Sequence, residues 1–170
     1  MDCSTLADNV LCLRPIAESD FAALHQAAND PKLWEQHPDT ERWRADRFRL
    51  FFDGALAANC AYAIEEIATG RLIGSSRYRP HPTNASAVEI GWTFLARDLW
   101  GSGYNTRVKS LMINLAFKHY EYVVFYGGAD NHRSRKAIEK LGAVELTACD
   151  EQGLWIDDDA RFSYVLRRDM

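Results

Sequence analysis

The chain lacks the residue groupings that mark a metal or redox centre. Its four cysteines, Cys3, Cys12, Cys60 and Cys149, include no C-x-x-C pair, so neither a zinc site nor a redox dithiol is indicated. Reduced thiols are expected. The five histidines, His25, His37, His81, His119 and His132, include no H-x-x-x-H pair, and no metal is expected. A basic excess is missing too. The formal net charge of −4 argues against a general nucleic-acid binder. No uninterrupted apolar run approaches the ~18 residues of a membrane span, and the opening MDCSTLADNV lacks the basic and apolar regions of a secretory peptide. A cytosolic protein without a membrane partner is expected. A triphosphate loop of the form G-x-x-x-x-G-K-[S/T] is absent, and Thr106 stands where a dinucleotide-binding G-x-G-x-x-G would need its third glycine.

What is present is an ordinary globular composition, 47% hydrophobic and 26% charged over 170 residues, the size of one domain covering residues 1–170. The most informative stretch runs from Val88 to Ala116. Val88, Ile90, Trp92 and Phe94 alternate with Glu89, Gly91, Thr93 and Leu95 at strand period, while Val108, Leu111, Met112, Leu115 and Ala116 recur at helical period. Between them lies Trp100-Gly101-Ser102-Gly103-Tyr104-Asn105-Thr106. Two glycines allow a tight turn, and the first amides of the following helix, with its dipole, favour an anion such as pyrophosphate. Such a turn on its own is more often a plain strand-to-helix connection.

Around this segment the pattern predicts a strand over 10–14 and a helix capped by Ser19 or Asp20 carrying Phe21, Leu24 and Ala28. Asn29-Asp30-Pro31 should end it. A helical region over 40–58 carries Trp43, Phe48, Phe51, Phe52 and Leu56, and strands over 61–66 and 71–78 are joined through Ala68-Thr69-Gly70. After a loop at 79–84 and the central strand and helix come a strand at 122–126, a helix over 132–141, and strands near 144–148 and 161–167. The order βααβββαβαββ does not alternate regularly, which predicts an α+β layered fold.

Two motifs resemble the GNAT superfamily of acetyl-coenzyme A dependent N-acetyltransferases. Residues 100–105 occupy the places of its Q/R-x-x-G-x-G/A loop, with Gly103 as the central glycine, Trp100 in place of Gln/Arg and Asn105 in place of the final small residue. Downstream, the strand Tyr122 to Tyr126 and the run from Asn131 through Ser134 to Gly142 and Ala143 resemble the family's N-x-x-S-x-x-x-x-x-K-x-G-F segment. With Leu13-Arg14-Pro15 and Ser19-Asp20-Phe21, the resemblance spans residues 10 to 167. It is nearest in character to the branch of ribosomal-protein N-terminal acetyltransferases.

The resemblance implies a mixed, mostly antiparallel sheet with helices on both faces, whose fourth and fifth strands splay apart. Acetyl-CoA would be the acyl donor, its pantetheine pairing with the backbone of Thr93, Phe94 and Leu95. Its pyrophosphate would lie on Trp100, Gly101, Ser102, Gly103, Tyr104, Asn105 and Thr106, with Asn131 and Ser134 alongside. Acetyl transfer needs a neutral amine and a donor for the leaving thiolate. Glu89, opening the fourth strand, is the candidate base; it reads equally as a salt-bridged strand-end acid. The tyrosine that many members use as acid is replaced by Ile138. Ser134 is the candidate substitute and reads equally as a first-turn helix residue, with Tyr104 and Tyr126 in reserve. The acceptor would be a primary amine, either a peptide N-terminus or a small molecule, in a ternary complex; a homodimer is compatible with this reading. The missing tyrosine, Trp100 and Asn105 also fit a catalytically silent acyl-CoA sensor or interaction module. Finally, Asp150, Glu151, Asp157, Asp158 and Asp159 crowd around Gly153-Leu154-Trp155-Ile156, a loop that borders the acceptor channel in the family. They would favour cationic amines, with Trp155 offering its face; as a plain charge run they only solubilise a loop.

Overall fold

The structure is a computed structural model that describes residues 3–147, 153–154 and 161–168. Eight strands form one sheet in the order β1-β2-β3-β4-β5-β6-β8-β7. They are β1 Leu6–Ala7, β2 Leu11–Pro15, β3 Cys60–Glu66, β4 Arg71–Pro80, β5 Ala87–Leu95, β6 Tyr122–Gly128, β7 Val144–Glu145 and β8 Arg161–Arg167. Every neighbouring pair is antiparallel except β5–β6.

Side-chain alternation along the strands assigns the two faces. Leu11, Leu13, Tyr62, Ile64, Val88 and Ile90 pack with Val108 and Met112 of α4 (Tyr104–Ala116) and with Ile138 of α5 (His132–Glu139). Ala63 and Phe94 pack on the other side with Leu24 of α1 (Phe21–Ala28), Leu33 and Trp34 of α2 (Pro31–Trp34), and Phe48, Phe51 and Phe52 of α3 (Ala45–Leu56). Helices thus cover both faces of a mixed, mostly antiparallel sheet, and the α+β expectation holds.

The parallel pair makes the shape that matters. β5 and β6 are joined only at Ala87↔Tyr122, Val88↔Val123 and Glu89↔Val124. Beyond Glu89, β6 continues beside β8 as far as Gly128↔Arg161, while β5 stays with β4 as far as Leu95↔Gly74. A V opens between them, and the edge of β5 from Ile90 onward has no strand to pair with among the described residues.

The structure departs from the sequence reading in several places. The strict alternation expected along 88–95 breaks at a bulge, where Trp92 and Thr93 together oppose Ser76 between the pairs Gly91↔Arg77 and Phe94↔Ser75. Trp92 has φ 51°, a left-handed conformation rare for a bulky residue, and it joins the face of Phe94 rather than that of Ile90. Asp20 is not the expected side-chain cap. Its buried carboxylate accepts from both terminal nitrogens of Arg14, at 2.9 and 2.7 Å, and from Ala17 N–H. Pro31 both follows the end of α1 and opens α2, whose N-cap is Asp30 accepting from Lys32 N–H. The second long helix begins only at Ala45, and β7 is two residues long. The expectation of reduced thiols also fails, since Cys3 and Cys60 form a disulfide. Antiparallel pairing of β1 with β2 and of β2 with β3 brings these residues, 57 apart in sequence, to a Cα separation of 5.0 Å. Cys12 is free; Cys149 lies outside the described residues.

Candidate active site

The glycine cradle sits at the head of α4. Gly103 is its N-cap at φ 85°, and Gly101 has φ 79°. A side chain at either would meet nothing within 4 Å, so the turn leaves the helix end open to approach. The amides of Asn105 and Thr106 face no acceptor among the described residues, and Tyr104 N–H has only a 3.4 Å contact with Ser102 Oγ. Together with the unpaired edge of β5, these groups suit an elongated, amide-bearing ligand ending in phosphates.

The side chains expected near that ligand are placed as follows. Phe94 and Leu95 are buried in opposite cores and pair with Ser75 and Gly74 of β4, so only backbone groups on the edge away from β4 can meet a ligand. Trp100 is exposed and lies under Arg133, whose Cζ is 3.9 Å from the ring centroid. Arg133 also donates to Leu33 O at 2.8 Å, which brings the first turn of α5, α2 and the cradle loop together at the mouth of the V. Ser102 Oγ donates to Leu99 O. Asn131 caps α5, its side-chain oxygen accepting from Ser134 N–H at 3.1 Å. The Ser134 side chain stands at the third helical position, its hydroxyl free of hydrogen bonds among the described residues. Tyr104 is turned away, its hydroxyl donating to Glu66 Oε1 at 2.7 Å. Tyr126 donates to Leu154 O at 2.6 Å and lies 2.9 Å from His81 Nε2.

Glu89 occupies the last rung before the V opens. Its carboxylate is buried and bound by Arg79, with Nε at 2.8 Å and a terminal nitrogen at 2.6 Å from Oε2. Burial raises its pKa above the ordinary carboxylate value, against the lowering influence of Arg79, Arg161 and Arg77. Gly91 makes room for it: a Cβ there would come within 2.9 Å of Glu89 Oε1.

Sequence reasoning missed Lys109. This residue of α4 is buried and donates to Thr93 Oγ1 at 2.6 Å; Thr93 Oγ1 in turn lies 2.7 Å from Ser76 Oγ. The ammonium is 5.7 Å from the Phe125 ring on β6. It therefore sits where β5 and β6 have parted and ties the bulge to α4. Burial lowers its pKa to about 7, with Glu89 opposing the shift. The signal was available: Lys109 falls on the same helical arc as Val108, Met112 and Ala116.

A second hollow, lined by Asp30, Arg71, Arg97 and Asp98, is a different kind of surface. Arg71 is paired with Asp98 and Arg97 with Asp30, leaving little charge for a ligand. Among the described residues no cluster of His, Cys, Asp and Glu suits a metal ion.

A parallel pair thus parts beside a glycine-capped helix. Residues 10–144 match the family model described as an acetyltransferase (GNAT) domain. The chain belongs to the GNAT acetyltransferase family. Solved structures agree on the fold. A GCN5-related N-acetyltransferase from Brucella melitensis superimposes with a TM-score of 0.81 at 16% identity, covering 98% of this chain and 80% of that one. A GNAT-family acetyltransferase from Bacillus anthracis gives 0.74 at 17% identity, covering 96% and 98%. The Mycobacterium smegmatis RimJ, solved in complex with CoA-disulfide, gives 0.72 at 17% identity, covering 98% and 90%. As a GNAT member the chain is an acyltransferase.

Proposed function

We propose that this protein transfers the acetyl group of acetyl-CoA to a primary amine by direct attack in a ternary complex. The observation that carries the proposal is the V that opens at Glu89 and runs toward the Gly101–Gly103 cradle. Acetyl-CoA supplies an activated thioester. The chain's own groups do the rest. Amides of the free β5 edge hold the pantetheine arm and polarise the thioester carbonyl, the amides at the head of α4 hold the pyrophosphate, and Lys109 keeps the bulge in place through Thr93. Glu89 takes a proton from the attacking amine, directly or through water, and its raised pKa makes it a better base than an ordinary carboxylate. Ser134 Oγ–H donates to the departing sulfur. The nitrogen–carbonyl bond forms as the carbon–sulfur bond breaks, leaving an amide and a thiol.

The test is a panel of amines and peptides with acetyl-CoA, followed by thiol release and product mass. Transfer to nitrogen with equal release of CoA supports the proposal. Tight acetyl-CoA binding with no transfer to any acceptor would favour the silent acyl-CoA sensor.

A further inference from the structure

We propose that the corner formed by Arg42, Arg77, Arg79 and Trp92 receives an anionic group of the acceptor, so that the acceptor is an amine carrying a carboxylate or a phosphate. This rests on the acetyl-transfer reading and adds a substrate class to it.

Register brings the corner together. Arg77 is opposite Gly91 and Arg79 opposite Glu89, so both project on the face of the sheet that carries the Glu89 carboxylate. The bulge turns Trp92 to that same face, with its ring centroid 4.1 Å from Arg77 Cζ and 4.9 Å from Arg79 Cζ. Arg42, from the segment between α2 and α3, adds a third guanidinium 4.8 Å from the Phe51 ring and 5.2 Å from that of Trp34. Arg47 stands beside it through a shared contact with Asp39.

Among the described residues the charges do not balance. Glu89 is taken by Arg79, and Asp39 by Arg42 and Arg47. Arg77 has no carboxylate within 4.0 Å among the described residues, and its NH1 is buried without a hydrogen-bond partner, as is Nε of Arg42. Among the described residues, four guanidinium groups therefore meet two carboxylates. Burial, with a smaller push from Arg42 and against the pull of Asp39, depresses the His37 pKa to about 4; burial also depresses that of Arg77 to about 10, with Glu89 opposing the shift and Arg42 and Arg79 adding to it. Cations held out of water without counterions are destabilising, whereas guanidinium groups stacked on aromatic rings are well prepared to bind a carboxylate or phosphate. Arg79 keeps 49% of its side chain exposed, so the corner is open beside Glu89. An anion that draws Arg79 away would also release Glu89 from its ion pair, and burial would then make that carboxylate a stronger base. The acceptor's own charge would arm the site. The acidic segment around residues 150–159, if it borders the acceptor channel rather than merely solubilising a loop, would favour cationic acceptors instead; its charged residues lie outside the described residues, and the two make opposite predictions.

The experiment compares kcat/KM within acceptor pairs that differ by one charged group: glycylglycine against glycylglycinamide, and O-phosphoethanolamine against ethanolamine, with spermidine as the cationic reference. The anionic member of at least one pair should be preferred by about 10-fold to 100-fold, the effect of one or two charge-assisted contacts. Preference within one pair alone names the anion. Arg77→Gln and Arg42→Gln should each shrink the preference, and Arg77→Lys should restore part of it, with acetyl-CoA affinity retained. Calorimetric titration of the CoA-loaded protein with N-acetylglycylglycine and its carboxamide reads the corner independently of turnover. Equal treatment of charged and neutral partners, or a preference for spermidine, overturns the inference and leaves acetyl transfer standing. Selective anion binding with no amine acetylated keeps the inference and removes the transferase reading.

Discussion

Glu89 and Lys109 are two buried ionisable groups whose pKa values burial moves in opposite directions of pH, Glu89 upward and Lys109 downward. For Glu89 the consequence is kinetic. Glu89→Gln should lower kcat on the order of 10²-fold, most severely where Glu89 is ionised while the acceptor amine is still largely protonated, and should leave acetyl-CoA affinity unchanged. Ser134→Ala should lower kcat at every pH. pH–rate profiles matching the parent would remove either residue from the mechanism. For Lys109 the consequence is stability. Its proton is held to about pH 7 in the fold and to about 10.5 in the unfolded chain, so across that window the unfolded state binds more protons and stability rises with pH. Below about pH 7 the destabilisation is complete. Lys109→Met should remove that slope and stabilise the fold at pH 6 by about 1–4 kcal/mol, while kcat/KM falls because Thr93 loses its donor. Melting curves from pH 6 to 10 check this; an unchanged slope would mean that Lys109 does not titrate there.

At the level of elements, the head of α4 was legible in the sequence because Gly101 and Gly103 adopt positive φ, a demand that glycine meets and most residues do not. Gly103→Val should therefore strain the turn and crowd the cradle, weakening acetyl-CoA binding by about 10-fold to 100-fold, in line with ~1–3 kcal/mol for such a backbone conformation. Calorimetry on the variant, with circular dichroism to confirm the fold, decides it; parental affinity would displace the cofactor from this helix end. The bulge in β5 was not legible, since the alternation of Val88 to Leu95 fits a regular strand and only the opposing Ser76 of β4 reveals the extra residue. Neither was the true partner of Asp20, because helix capping by the nearest carboxylate is a local rule and Arg14 reaches it from β2. Lys109 was legible but unread: its position on an apolar arc was visible, and only its bond to Thr93 gives that position a meaning.

For the molecule as a whole, composition and element order pointed to the layered fold, while contacts set by register stayed hidden. A spacing of 57 residues says nothing about Cys3 and Cys60 until three strands lie side by side. The same holds for the Arg79–Glu89 pair and the guanidinium corner, which depend on β4 pairing with β5. The disulfide ties the N-terminal segment to the start of β3, and reducing it should cost about 2–4 kcal/mol of stability by freeing the unfolded chain. A melting temperature unaffected by reductant would show the tie to be absent in solution. The central claim is direct acetyl transfer to an amine, without an acyl-enzyme, at the V beside Glu89. Rapid mixing of enzyme with excess acetyl-CoA, with and without a turned-over amine, tests it most directly by the timing of thiol release. The account predicts no burst of CoA without acceptor and release matched to N-acetyl product with it; a stoichiometric burst in the absence of amine would contradict it.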